Sequence, residues 1–198
     1  MKKNNKVVIV GAGLAGCEAC YQLAKRGVEV DLIDIKPSSF TPAHSNPNFA
    51  EIVCSNSLKS VDTTTASGVL KCELSMLDSL IFKTAKSCAV PAGNALAVDR
   101  ELFAEKIKKT IKSFKNVKII CREVKKIPKN KIVILATGPL TTTPLYNEIK
   151  KNLDSDNLHF FDASSPIIEG DSINYNFAFV KDRYDKGNGD YVNCPMTK

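Results

Sequence analysis

Gly11, Gly13 and Gly16 stand at the spacing G-x-G-x-x-G, directly behind the apolar run Val7-Val8-Ile9-Val10. That arrangement can hold an anion. A buried strand delivers the chain to a tight turn, and the turn opens a helix whose first amides point at negative charge. Gly11 allows the turn, Gly13 lets a pyrophosphate approach the backbone, and Gly16 lets the helix pack closely on the strand. The residues Gly11, Ala12, Gly13, Leu14, Ala15 and Gly16 are therefore candidate dinucleotide-binding positions. Asp34 ends the alternating run Val28-Glu29-Val30-Asp31-Leu32-Ile33-Asp34. It falls about 20 positions beyond the glycines, where an acid takes the ribose hydroxyls of an adenosine. A solvated aspartate at a strand end is the plainer reading of the same residue.

Cys54 is the second chemical candidate, within Ala50-Glu51-Ile52-Val53-Cys54-Ser55-Asn56-Ser57-Leu58. A cysteine followed by small polar residues fits a turn or a helix start, where amide dipoles lower its pKa toward the thiolate. A thiolate beside a flavin or nicotinamide is a nucleophile or a redox partner. A buried structural cysteine next to a polar turn fits equally. Cys17-x-x-Cys20 has no second pair, and both residues fall on the helix face expected to meet the sheet. They read as small buried hydrophobes, and no metal site is expected. The seven cysteines are odd in number and irregular in spacing, which suits reduced thiols in a cytoplasmic protein.

The elements that must position these groups follow from periodicity. A strand is expected over 6–10, a helix over 14–26 and a strand over 28–34, with Gly27 behind Lys25 and Arg26 as the helix stop. A long irregular segment runs from Lys36 to about Thr65, and loops of that kind are usually functional. Ala66 to Lys86 reads as one helix with Val69, Leu70, Leu74, Leu77, Leu80 and Ile81 on a single stripe. An extended piece over 89–98 leads to Asp99, which caps a helix from about Arg100 to Phe114. Strands follow over 117–121 and 131–135, the second running into the turn Ala136-Thr137-Gly138-Pro139. This alternation predicts an α/β fold, Rossmann-like, around a central parallel sheet.

With 198 residues, 43% hydrophobic and 25% charged, the chain has the composition of a soluble globular protein, and no run reaches the length of a membrane span. The net charge of +7 is local: Lys106 to Lys131 holds ten lysines and one arginine against Glu123 alone. Such a stretch attracts a polyanion such as RNA. A lysine-rich solvated helix face has the same composition, and with Phe114 as its single aromatic residue the stretch has no series of rings to stack bases. The N-terminus also imitates a lipoprotein signal, with Lys2, Lys3 and Lys6 before an apolar run and Leu14-Ala15-Gly16-Cys17 as the cleavage box. Gly11 and Gly13 interrupt that run, and apolar spacing continues through Cys17, Cys20, Tyr21, Leu23 and Ala24 as one amphipathic helix. A membrane anchor is not expected.

Six segments together are specific. GAGLAG at 11–16, TPAHSNPNFAEIVCSNSL at 41–58, PAGNALAVDRELFA at 91–104, ATGPLT at 136–141, and RYDKG with NCPMT at 183–187 and 193–197 resemble the folate- and FAD-dependent tRNA (uracil-5-)-methyltransferases. These are relatives of the larger glucose-inhibited-division flavoproteins. The resemblance implies FAD held by the glycine turn, Asp34, Thr137 and Gly138, with NAD(P)H and 5,10-methylenetetrahydrofolate as co-substrates. It implies that the folate supplies a one-carbon unit to C5 of the T-loop uridine in tRNA, reduced FAD the hydride, and NAD(P)H the electrons that restore the flavin. Uracil C5 becomes nucleophilic once a thiolate adds at C6, and Cys54 matches one of the two cysteines implicated in the family. A paralogue acting on ribosomal RNA would carry the same motifs. The family usually has glutamate where this chain has Asp34, a shorter reach to the same ribose.

Family members are well over this length. Residues 1–198 are therefore expected to be the N-terminal portion of an FAD-binding domain, with an inserted substrate-side region beginning after about residue 90. The second cysteine lies in a C-terminal half that these residues do not include. That leads to the expectation of a truncated protein, of a split one with a complementing C-terminal chain, or of a non-catalytic remnant.

Overall fold

The computed structural model describes residues 6–53, 55–153, 168–182, 189 and 191–195. Cys54 and the 183–187 segment lie outside the described residues. In chain order the elements are β1 (Val7–Val10), α1 (Leu14–Lys25), β2 (Val30–Asp34), β3 (Ser57–Ser60), α2 (Ala66–Met76), α3 (Leu80–Ser87), β4 (Ala89–Val90), β5 (Ala95–Val98), α4 (Arg100–Lys112), β6 (Val117–Cys121), β7 (Ile132–Leu135), α5 (Thr143–Leu153), a 3-10 turn (Gly170–Ser172), β8 (Phe179–Val180) and β9 (Val192–Asn193).

The main sheet has the order β6-β2-β1-β7 and is parallel throughout, with Val7 opposite Val30 on one side and Ile132 on the other. This is the parallel α/β sheet expected from the alternation of the sequence. Its strands are apolar at nearly every position because both faces are covered. Val7, Ile9, Val30 and Leu32 pack with Cys17, Cys20, Phe103, Ile107 and Ile111 of α1 and α4. Val8, Val10 and Ile33 face the other way, against Leu145 of α5 and Val124 from the β6–β7 connection. After β1 the chain moves to β2 on one side and later returns as β7 on the other. The carboxyl ends of these strands form the switch point where ligands of such sheets sit.

The single helix expected over 66–86 is two helices. Asp78 takes a left-handed conformation (φ 53°), and Ser79 caps α3 by accepting from the Phe82 amide. Asp78 is held there by the Tyr21 hydroxyl and by an ion pair with Lys25. The apolar stripe divides with the helix: Leu80 is 4% exposed, whereas Leu70 and Leu77 are 54% and 67% exposed. The long segment before α2 also contains a strand the sequence did not announce. Ser57–Ser60 has no apolar alternation, yet it pairs antiparallel with β5 in a second sheet of order β3-β5-β4. Among the described residues no helix is long and apolar enough to cross a membrane.

α3 docks on α1 through one carboxylate. Glu18 accepts from the Ser79 hydroxyl (2.8 Å), the Leu80 amide (3.2 Å) and the Ile81 amide (2.9 Å), so an acid of α1 satisfies the first turn of α3. Glu18→Ala leaves those donors unsatisfied and is expected to lower stability by about 1–3 kcal/mol in urea unfolding; an unchanged midpoint would show that the contact does not hold α3.

Candidate dinucleotide cleft

The glycine turn divides its labour among its three glycines. Gly11 has φ +98°, and a Cβ there would stand 2.6 Å from the Ala136 carbonyl oxygen. A Cβ on Gly16 would stand 1.8 Å from the Gly11 oxygen, so α1 can approach β1 only without one. Gly13 differs: nothing lies within 4 Å of the corresponding point. It also caps α1 with no side-chain hydrogen bond, which leaves the first-turn amides to a ligand. The open point and the uncapped helix start together fit a diphosphate.

A cleft opens at this end of the sheet, lined among others by Gly11, Gly13, Asp34, Arg122 and Thr137. Four of the candidate positions thus meet on one cavity although they lie far apart in sequence. The others stand around it. Ala12 is buried, Leu14 packs on the core and Ala15 is exposed. Gly16 lies behind the turn, and Gly138 follows Thr137 with φ +65°. Asp34 is engaged with the turn itself. Its carboxylate accepts from the Ala12 amide at 2.6 Å and from the Lys36 amide at 2.8 Å. Both oxygens of the Asp34 carboxylate are thus held by backbone amides.

One wall of the cleft is the 41–51 segment, whose acid and histidine the sequence reading did not single out. The Lys36 side chain is 6% exposed, and its ammonium donates to the carbonyls of Asn48 (2.6 Å) and Asn46 (3.2 Å) and to Glu51 (3.2 Å). Glu51 also accepts the amides of Ser45 (2.9 Å) and Asn46 (3.0 Å). The Ala50 amide donates to the Ala12 carbonyl at 2.8 Å, fixing the segment to the glycine turn. Thr41 and His44 line the cleft, bonded to each other through Thr41 Oγ1 and His44 Nδ1 at 2.5 Å. The signal for these residues was present in the motif at 41–58, which contains both His44 and Glu51.

Burial alone would raise the Glu51 carboxyl, but the two amides and the Lys36 ammonium outweigh it and hold its pKa below the ordinary 4.5. Burial lowers the His44 pKa from 6.5, helped by Lys36 and opposed by Glu51 and Asp34, so its imidazole is neutral at pH 7. Cys17 and Cys20 are wholly buried, and burial pushes the Cys20 thiol up to about 12. They are inert packing groups, as their helix face implied.

The lysine-rich stretch is not one surface. Lys108 is turned inward to the Pro47 carbonyl and Asn48. Lys115 and Lys118 share the amino end of the sheet with Lys6, whereas Arg122 lines the cleft at the carboxyl end.

Because Glu51 is depressed when folded, its contribution to stability is present above about pH 4.5 and is lost as the pH falls through its folded pKa. Glu51→Gln is expected to flatten the decline of stability between about pH 5 and about pH 3 in stepped-pH urea titrations. Parallel curves for the two proteins would refute the pairing.

The family described as glucose inhibited division protein A matches residues 6–198. The methylenetetrahydrofolate–tRNA-(uracil-5-)-methyltransferase TrmFO of Lactobacillus johnsonii is 52% identical over 198 residues, covering 100% of this chain and 45% of that protein. The protein of the same name from Staphylococcus saprophyticus is 53% identical over 192 residues, covering 97% of this chain and 44% of that protein. The solved GidA-related protein from Thermus thermophilus aligns over 69% of this chain and 54% of its own, at 16% identity and a TM-score of 0.35. This chain spans less than half the length of the curated relatives it matches. With the family's pattern running from Lys6 to Lys198, the chain belongs to the glucose inhibited division protein A family.

Proposed function

We propose that residues 1–198 are the N-terminal, FAD-binding portion of a methylenetetrahydrofolate-dependent tRNA (uracil-5-)-methyltransferase. The observation that carries this reading is Gly13, an open point beside an uncapped helix start, on a cleft shared with Asp34 and Thr137. The names of relatives at about half identity add the chemistry. In this reading Gly11 to Gly16 hold the FAD diphosphate, Asp34 the adenosine ribose, and Thr137 with Gly138 the return turn beside them. The region after about residue 90 begins the substrate side, and the remaining length of the relatives completes the pocket.

FAD would bring the hydride, with NAD(P)H restoring it. The chain's own part is binding and nucleophilic addition. Cys54 supplies the thiolate that adds at uracil C6, making C5 the nucleophile for the one-carbon unit of the folate. Arg122 lines the same cleft and offers a cation to the phosphates of cofactor or RNA. We place the reaction in the cytoplasm, where reduced thiols and tRNA coexist.

Gly13→Val is expected to abolish FAD binding, read by flavin absorbance of the purified protein, while changing stability by no more than about 1 kcal/mol. Gly16→Val is expected to cost about 3 kcal/mol or more, because its side chain meets backbone. A yellow Gly13→Val protein would overturn the assignment of the turn. In the family-length protein, Cys54→Ala is expected to keep its flavin and to lose 5-methyluridine formation in a tRNA transcript. Undiminished methylation would remove Cys54 from the mechanism.

A further inference from the structure

We propose that His44 is a ligand of the diphosphate in the cleft, donating from Nε2 and gaining a proton when the anion binds. This rests on the FAD-binding reading above and adds a residue to it. His44 shares the cleft wall with Gly11 and Gly13. Its segment is bolted to the glycine turn by the Ala50–Ala12 hydrogen bond. Thr41 occupies Nδ1, so the ring's orientation is fixed and Nε2 is the nitrogen left to a ligand.

The charges around the ring make it the titratable member of the site. Lys36, Asp34 and Glu51 face it, and Arg122 and Glu123 line the same cavity from beyond β6. The Lys36 ammonium is engaged by two carbonyls and Glu51. A diphosphate entering beside Asp34 and Glu51 adds negative charge to a cleft that already holds two carboxylates besides Glu123. Helix-start amides offset part of it, and an imidazolium offsets more. Without the anion, burial and Lys36 keep the ring neutral. With it, the charged form is favoured, so binding takes up a proton and tightens as the pH falls.

The test is the FAD dissociation constant of the family-length protein measured from about pH 7.5 to about pH 5.5, for the unsubstituted protein and for His44→Gln, which keeps a donor but does not titrate. The unsubstituted protein is expected to bind more tightly at the lower pH, by up to about tenfold for each unit that the anion raises the His44 pKa, and His44→Gln to show no such gain. FAD binding with the same pH slope in both proteins overturns the role of His44 and leaves the flavin reading standing. No binding at any pH overturns both. Should His44→Gln fail to fold, the imidazole of the unsubstituted protein can be titrated by NMR with and without ADP, the two histidines being told apart with His159→Gln. The His44 pKa must rise when ADP is added, and an unmoved value overturns the proposal.

Discussion

Ala12 carries the two hydrogen bonds on which the rest of the cleft depends. Its amide is taken by the Asp34 carboxylate at the end of β2, and its carbonyl by the Ala50 amide of the 41–51 segment. One residue thus ties together the glycine turn, the strand that ends in the acid and the wall that faces the ligand position. The residue itself is 1% exposed, where neither polar group could be left unpaired cheaply. Turn, acid and wall are therefore set as a unit.

The wall has its own internal support. A segment so poor in regular structure must find partners for its backbone, and here charged side chains provide them. Lys36 gathers two carbonyls while Glu51 gathers two amides, and the two side chains meet. Burying either charge alone would be strongly unfavourable; as a pair with every neighbour bonded, they hold a loop in one conformation. Phe49, buried beneath Lys108, and Ile52 then anchor the segment in the main core.

That core explains why the cleft is where it is. Alternate residues of β1 and β2 feed two apolar layers, and the glycines let α1 lie close against the first of them. The reversal of strand order at β1 leaves the carboxyl ends open. Burial removes Cys17 and Cys20 from the chemistry, and the parallel sheet sends Lys115 and Lys118 to one end and Arg122 of the same contiguous stretch to the other.

The sequence by itself determined the local grammar: strand, glycine turn and helix at 7–25, the acid at 34, the capped helix after Asp99, and the apolar runs that demanded a parallel sheet buried on both faces. These are short-range consequences of side-chain period and backbone freedom, so they are written in neighbouring residues. Only the tertiary structure decided which of those residues share a cavity. It split the helix at Asp78, because Tyr21 and Lys25 of another helix hold that residue in a turn. It made a strand of Ser57–Ser60, because β5 offered a partner. It brought Lys36, His44 and Glu51 to the glycine turn through hydrogen bonds that carry no periodic signature. Pairing between distant groups depends on where the core places them, and that placement is a property of the whole chain rather than of any window within it.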